Sequence, residues 1–159
     1  FVTNAHLAKD QQEAFDYISN AAFVPSKEVV LEVDTLPAKD YAWTINNQSP
    51  PQPPGTSIEW LEDSASQVAL ALNLPANGYL VLNDIWYPGW QASLDGSSVD
   101  ILHANHAMRA VKVSQGKHTL VFAYKPLSFK IGVIAAALAM LCGLLLISAT
   151  KRKSKTTKL

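Results

Sequence analysis

The sequence has one cysteine in 159 residues, and only 16% of its residues are charged. A single thiol, Cys142, excludes an internal disulfide, a Cys-x-x-Cys redox pair and a cysteine-based zinc site. Any folded part must therefore rest on an apolar core, which a 48% apolar composition can supply. The chain also lacks a nucleophile elbow, a phosphate loop and a dinucleotide-binding pattern. No catalytic residue is expected within these residues, and no cofactor.

The shortage of charge has a local origin. Ile131 to Thr150, IGVIAAALAMLCGLLLISAT, holds no charged residue and lies between Lys130 and Lys151. Nine of its twenty residues are Leu, Ile or Val. A helix of that length spans roughly 30 Å, the hydrocarbon thickness of a bilayer, and such residues favour insertion by about 0.5 kcal/mol each near the centre. The segment lies near the C-terminal end of the sequence, so it does not read as a signal peptide. Lys151, Arg152, Lys153, Lys155 and Lys158 follow it, leaving residues 1–130 with 8 basic against 13 acidic side chains, a net of −5. Basic residues beside a span stay in the cytoplasm, which predicts that residues 1–130 are extracytoplasmic. The same tail reads as contact with anionic lipid, and no nucleic-acid partner is expected. Phe129 and Lys130 are placed to anchor the span at the membrane interface. Ala135, Ala139 and Gly143 recur every four residues, a small-residue stripe that lets another helix approach closely.

Before the span the patterning is that of a β domain. FVTNA reads as a strand entering mid-domain, which predicts a piece of a longer chain. Asp10, with Glu13 three residues on, predicts a capped helix from about Asp10 to Asn20. Strands are predicted at Glu28–Asp34, Tyr41–Ile45 and Ile58–Leu61, with Pro-containing loops between them, the longest at residues 46–57. QVALALNL at Gln67–Leu74 alternates cleanly, and PANG then turns the chain into Tyr79–Ile85. Trp90–Leu94 and Ser98–Leu102 flank Asp95-Gly96, a hairpin dipeptide that tolerates positive φ. Met108–Val113 and His118–Tyr124 are predicted as a further hairpin around Gln115-Gly116. Strands this short and this closely spaced predict a mainly β fold, an antiparallel, jelly-roll-like β-sandwich with a short N-terminal helix. The expected division is residues 1–126 as the extracytoplasmic domain, 127–150 as the span with its lead-in, and 151–159 as a basic cytoplasmic tail.

The polar constellations are sparse. His103 and His106, with His6 and His118 elsewhere, lack the further ligands that zinc needs, so no metal is expected and the pair reads as solvated loop residues. Glu59, Glu62 and Asp63 read as a solvated edge, and Asp95 as a turn residue. Asp84 and Asp100 lie in the same stretch as Asp95, and paired carboxylates do glycoside chemistry only at defined separations, which the sequence does not fix. The stretch NDIWYPGWQASLDG, residues 83–96, is richer. Trp86 and Trp90 are four apart across a Pro-Gly turn, so they do not simply alternate along one strand. At least one is expected in the core. Aromatic faces also bind sugars, which makes Trp86, Tyr87 and Trp90, with Asp84, Asn105 and Arg109 as polar neighbours, the candidate glycan-binding residues.

The same stretch, continued by VDILHANHAMRAVKVSQGKHTLVFAYKP and a hydrophobic span, resembles the C-terminal part of the YfhO family of bacterial polytopic membrane proteins. The resemblance rests on Tyr87–Trp90, Asp95-Gly96, Ala104-Asn105, Arg109, Gly116–His118 and Pro126, with FVPSKEVVLE at residues 23–32 in support. Gln91 stands where a Lys is common, and His103, His106 and Met108 replace an Arg and aromatics. The resemblance implies a multi-spanning glycosyltransferase of the GT-C type in the bacterial plasma membrane, using polyprenyl-phosphate-linked sugars to decorate cell-envelope polymers or glycans. It implies that the catalytic acid lies in an outer loop upstream of these residues. The expected partners are the lipid bilayer, the parent's other transmembrane helices, and an envelope glycan or polyprenyl-linked sugar. The competing expectation is a membrane-anchored carbohydrate-binding or adhesion module without catalysis.

Overall fold

The computed structural model describes residues 1–33, 36 and 53–156. The strand expected at 41–45, and residues 46–52 of the loop after it, lie outside the described residues. The chain divides into two units, Phe1–Tyr124 and Lys125–Leu159.

The first unit is mainly β. Its elements in chain order are β1 (Asn4–Ala8), α1 (Gln11–Ile18), β2 (Glu28–Glu32), β3 (Ser57–Asp63), β4 (Gln67–Leu74), β5 (Gly78–Ile85), β6 (Trp90–Leu94), β7 (Ser97–Val99), β8 (Leu102–Ala104), β9 (Met108–Val113) and β10 (Gly116–Tyr124). They form two five-stranded sheets, one ordered β1-β2-β8-β9-β5 and the other β3-β4-β10-β6-β7. The alternation read in β4 is the reason the sheets stack. Val68, Leu70, Leu72 and Leu74 meet Leu120 and Phe122 of β10, and across the interface Leu80 and Leu82 of β5 and Val111 and Val113 of β9. The first sheet is apolar on its opposite face too, where Val29, Leu31, Tyr79, Leu102, Ala104 and Ala110 form a second core. Val2 makes a two-way backbone bridge to Tyr79, bringing the start of the chain against β5.

Helix α1 begins as its sequence predicts: Asp10 is the N-cap and its Oδ1 accepts from the Glu13 N–H at 2.9 Å. Its role differs from a peripheral helix. β1 and β2 pair in parallel, Asn4 opposite Glu28 through Ala8 opposite Glu32, so α1 is the crossover of a β-α-β unit. The sandwich is therefore not antiparallel throughout. Ala14 of α1 seats against Ala8 and Val30, with Tyr17, Ile18 and Phe23 around them.

Two further expectations need correction. Residues 98–102 are not one strand, because Ser97–Val99 pairs with β6 in one sheet while Leu102–Ala104 pairs with β9 in the other. The chain changes sheets at Asp100-Ile101. Likewise β9 and β10 are not a hairpin: β9 pairs with β5 and β8, and β10 with β4 and β6. Val113 and Leu120 both point into the shared core, so residues 114–115 carry the chain across it. The Asp95-Gly96 hairpin is as read, with φ of 52° and 81°, both in the left-handed region that a tight two-residue turn requires.

The second unit is a single helix, α2 (Leu127–Thr156), about 45 Å long at 1.5 Å per residue. Within it Leu127–Leu145 is long and apolar enough to cross a membrane, with none of that stretch buried. The helix runs six residues beyond Thr150 into the basic segment.

Candidate functional site

Arg109 is the centre of the polar architecture. Alternation along β9 places it on the same face as Val111 and Val113, between the sheets, and its side chain is fully buried. Its guanidinium lies 3.9 Å from the Trp90 ring centroid and 5.6 Å from that of Phe122. One Nη donates to Asp84 Oδ2, while Nε and the other Nη are buried without a hydrogen-bond partner. Burial pulls the guanidinium's pKa down and the Asp84 carboxylate pulls it back up. An arginine is favoured here because a planar cation stacks on an indole face and binds a carboxylate at its edge.

Around this pair the chain assembles an aromatic end to the sandwich. Trp90 is half-buried against the inter-sheet core and lies 5.4 Å from Tyr124, which is 6.4 Å from Tyr87. Tyr87 is 61% exposed. Trp90 thus does two things, sealing the end of the core and roofing Arg109. Trp86 turns elsewhere: its ring packs on His103 at 4.0 Å, and its backbone N–H donates to the Ala107 carbonyl. Of the six candidate residues the structure brings Asp84, Tyr87, Trp90 and Arg109 into one cluster, with Trp86 on a neighbouring one. Tyr124 and Phe122 belong to the first cluster and carry no motif that would single them out in the sequence.

Asn105 is spent on the fold. It sits in the β8–β9 hairpin with φ of 47°, followed by His106 at 69°. Its N–H donates to the Val30 carbonyl and its Oδ1 accepts from the Val30 N–H, at 2.8 and 2.9 Å. One residue thus supplies both halves of a strand-like pairing. Asn105→Ala leaves the Val30 N–H buried without an acceptor and is expected to cost about 1–3 kcal/mol. Asn105→Asp, which keeps the acceptor, is expected to cost less in urea unfolding; equal losses would count against this role. His103 and His106 part company: His103 Nδ1 lies 3.9 Å from Glu32, whereas His106 meets Phe15 edge-on at 5.3 Å. Both rings are half-buried rather than fully solvated. Among the described residues no three His, Cys, Asp or Glu side chains gather as a metal site would need.

A second polar cluster lies at the Asp95-Gly96 turn. His118 Nδ1 is 2.6 Å from Asp95 Oδ2, and the Thr119 N–H donates to Asp95 Oδ1 at 2.7 Å. These bonds, His118 first, hold the Asp95 carboxyl below its ordinary value of 3.8. His118 Nε2 lies 3.2 Å from Ser114 Oγ, the order of a nucleophile, base and orienting acid. An acyl-transfer site also needs N–H donors for the oxyanion. The N–H following Ser114, that of Gln115, is instead given to Asn77 Oδ1 at 2.9 Å. The cluster ties the turns together. A carboxyl with a lowered pKa stabilises the fold at pH values above 3.8 and loses that contribution as pH falls through its folded value. His118→Ala is expected to move the Asp95 titration midpoint up toward 3.8; carboxyl NMR of the two chains reads the shift.

In the sequence Asp95 reads only as a turn residue and His118 only as one of four scattered histidines. Their meeting depends on β10 lying beside β6, which no local pattern encodes.

In α2, Phe129 is 70% exposed, Ala135 and Ala139 are exposed along it, and Gly143 is half-buried. The side chains of Lys151, Arg152 and Lys153 lie outside the described residues.

No curated protein and no solved structure matches the chain. Residues 56–136, just over half of the chain, match the family described as bacterial membrane protein YfhO. The matched stretch holds both polar clusters and the first part of the apolar helix, so the chain belongs to the YfhO family of bacterial membrane proteins.

Proposed function

We propose that the chain is the extracytoplasmic accessory domain and last span of a polytopic plasma-membrane protein that transfers sugars from polyprenyl-phosphate donors to cell-envelope polymers or glycans. The catalytic acid belongs upstream of these residues, and this domain holds the acceptor glycan. The observation that carries the reading is the aromatic end of the sandwich. An exposed Tyr87 stands beside half-buried Trp90 and Tyr124. Asp84 offers acceptor oxygens next to them, on a buried Arg109 that fixes its position. Flat apolar rings beside fixed polar groups suit the two-sided surface of a sugar. Family membership supports the membrane setting, the basic residues after the apolar helix support an outer location for residues 1–130, and the small-residue stripe supports packing of α2 against the parent's other spans.

The test uses the full-length parent in native membranes supplied with a radiolabelled polyprenyl-phosphate sugar. Tyr87→Ala is expected to lower transfer to the envelope acceptor several-fold through a higher KM for acceptor, with donor KM unchanged. Unaltered transfer would remove the acceptor role from this surface, and absence of any transfer by the unmodified parent would remove the enzyme reading. A parent no larger than about 17.3 kDa on immunoblotting of native membranes would instead favour the anchored binding module.

A further inference from the structure

The outer face of the second sheet carries a depression of about 330 Å³ at the end marked by the Asp95-Gly96 turn. It lies at the low end of the range for small-ligand sites. Its construction follows from register. Glu59, Ala71 and Thr119 are aligned across β3, β4 and β10, and Ser57, Asn73 and Lys117 form the adjacent row. Paired residues share a sheet face, so all six side chains stand together. Ala71 is the small member in the middle of its row, and the dip lies over it. Asp95 closes one side, its carboxylate fixed by His118 and the Thr119 N–H.

The lining mixes donors and acceptors at close quarters. Lys117, the Asn73 amide and the Ser57 and Thr119 hydroxyls donate; Glu59 and Asp95 accept. Two carboxylates disfavour an anion, and the lysine disfavours a cation. A hydroxyl group, at once donor and acceptor, satisfies both kinds of partner, and vicinal hydroxyls satisfy neighbouring ones. Ala71 gives the apolar floor that the C–H face of a sugar ring needs. We infer that this depression binds one neutral sugar ring, as a second glycan subsite separate from the aromatic end. The inference rests on the reading of this domain as glycan-holding and extends it to a surface that lacks an aromatic platform.

The test is amide NMR of the 159-residue chain in lipid nanodiscs, titrated in parallel with methyl α-glucoside, N-acetylglucosamine and inorganic phosphate. Either sugar is expected to shift the Asn73, Lys117 and Thr119 amides along saturable curves, with a Kd of roughly millimolar order. Glu59→Gln and Lys117→Gln, both at exposed positions, are each expected to weaken that binding about tenfold, while Tyr87→Ala leaves it unchanged. Saturation by phosphate alone, unchanged affinity in both charge-neutralised variants, or no response of these amides to either sugar would each overturn the subsite. Sugar-induced shifts confined to Tyr87, Trp90 and Tyr124 would overturn it while leaving the acceptor reading of the aromatic end intact. Shifts confined to the depression would do the reverse.

Discussion

Asp84→Ala is expected to destabilise the Phe1–Tyr124 unit by about 2–3 kcal/mol, although the Asp84 side chain is 60% exposed. Removing an exposed carboxylate ordinarily changes stability by less than about 0.5 kcal/mol. Here it strands a fully buried guanidinium, two of whose nitrogens already lack partners. The figure stands at or below the low end of what breaking a buried pair costs, because the Asp84 end of this pair faces water. Arg109→Met reverses the arithmetic. It leaves Asp84 free to be hydrated and keeps an apolar side chain between Trp90 and Phe122, losing mainly the cation–π contact, about 1 kcal/mol. The double variant is then expected to recover most of the stability lost in Asp84→Ala. Urea unfolding of the detergent-solubilised chain, followed by tryptophan fluorescence, gives all three values. An Asp84→Ala chain as stable as the parent, or less damaged than Arg109→Met, would show that the carboxylate does not hold the buried charge.

The second large effect concerns α2. Leu138 lies near the middle of the apolar run and is 61% exposed. Leu138→Arg places a charge where insertion is least tolerant of it and is expected to cost about 3 kcal/mol, a shift of roughly a hundredfold in the insertion equilibrium. Leu138→Ala, which keeps the position apolar, is expected to leave the chain in the membrane. Translation of the 159-residue chain onto inverted bacterial vesicles, followed by carbonate extraction, separates inserted from released protein. Equal retention of the arginine variant would mean that α2 does not depend on the hydrocarbon core for its environment.

These effects differ in how far the sequence foretold them. The span was legible because its signal is compositional: twenty residues without charge need no partner to be interpreted. The N-cap at Asp10, the alternation in β4 and the Asp95-Gly96 turn were legible for a similar reason, since each is decided within a few residues. The parallel pairing of β1 with β2 was not. Parallel and antiparallel neighbours use the same apolar residues, and only the position of α1 against Ala8 and Val30 tells them apart. Nor was the change of sheet at residues 100–101 or at 114–115. A turn dipeptide reports that the chain reverses, not which sheet receives it.

Arg109 shows the same division at the level of a site. Its sequence neighbours Ala110, Val111 and Val113 belong to an apolar strand, and that placement was local. Its burial under Trp90, its bond to Asp84 and its distance from Asn105's task at Val30 arise from residues brought together across the sandwich. The sequence by itself determined that this protein has a disulfide-free β domain with tight turns and one helix fit to cross a bilayer, because capping, alternation and hydrophobic length are short-range properties. Only the tertiary structure decided which polar residues meet, because the free energy of a buried charge depends on contacts between residues 19 and 25 positions apart, as Arg109 is from Trp90 and Asp84.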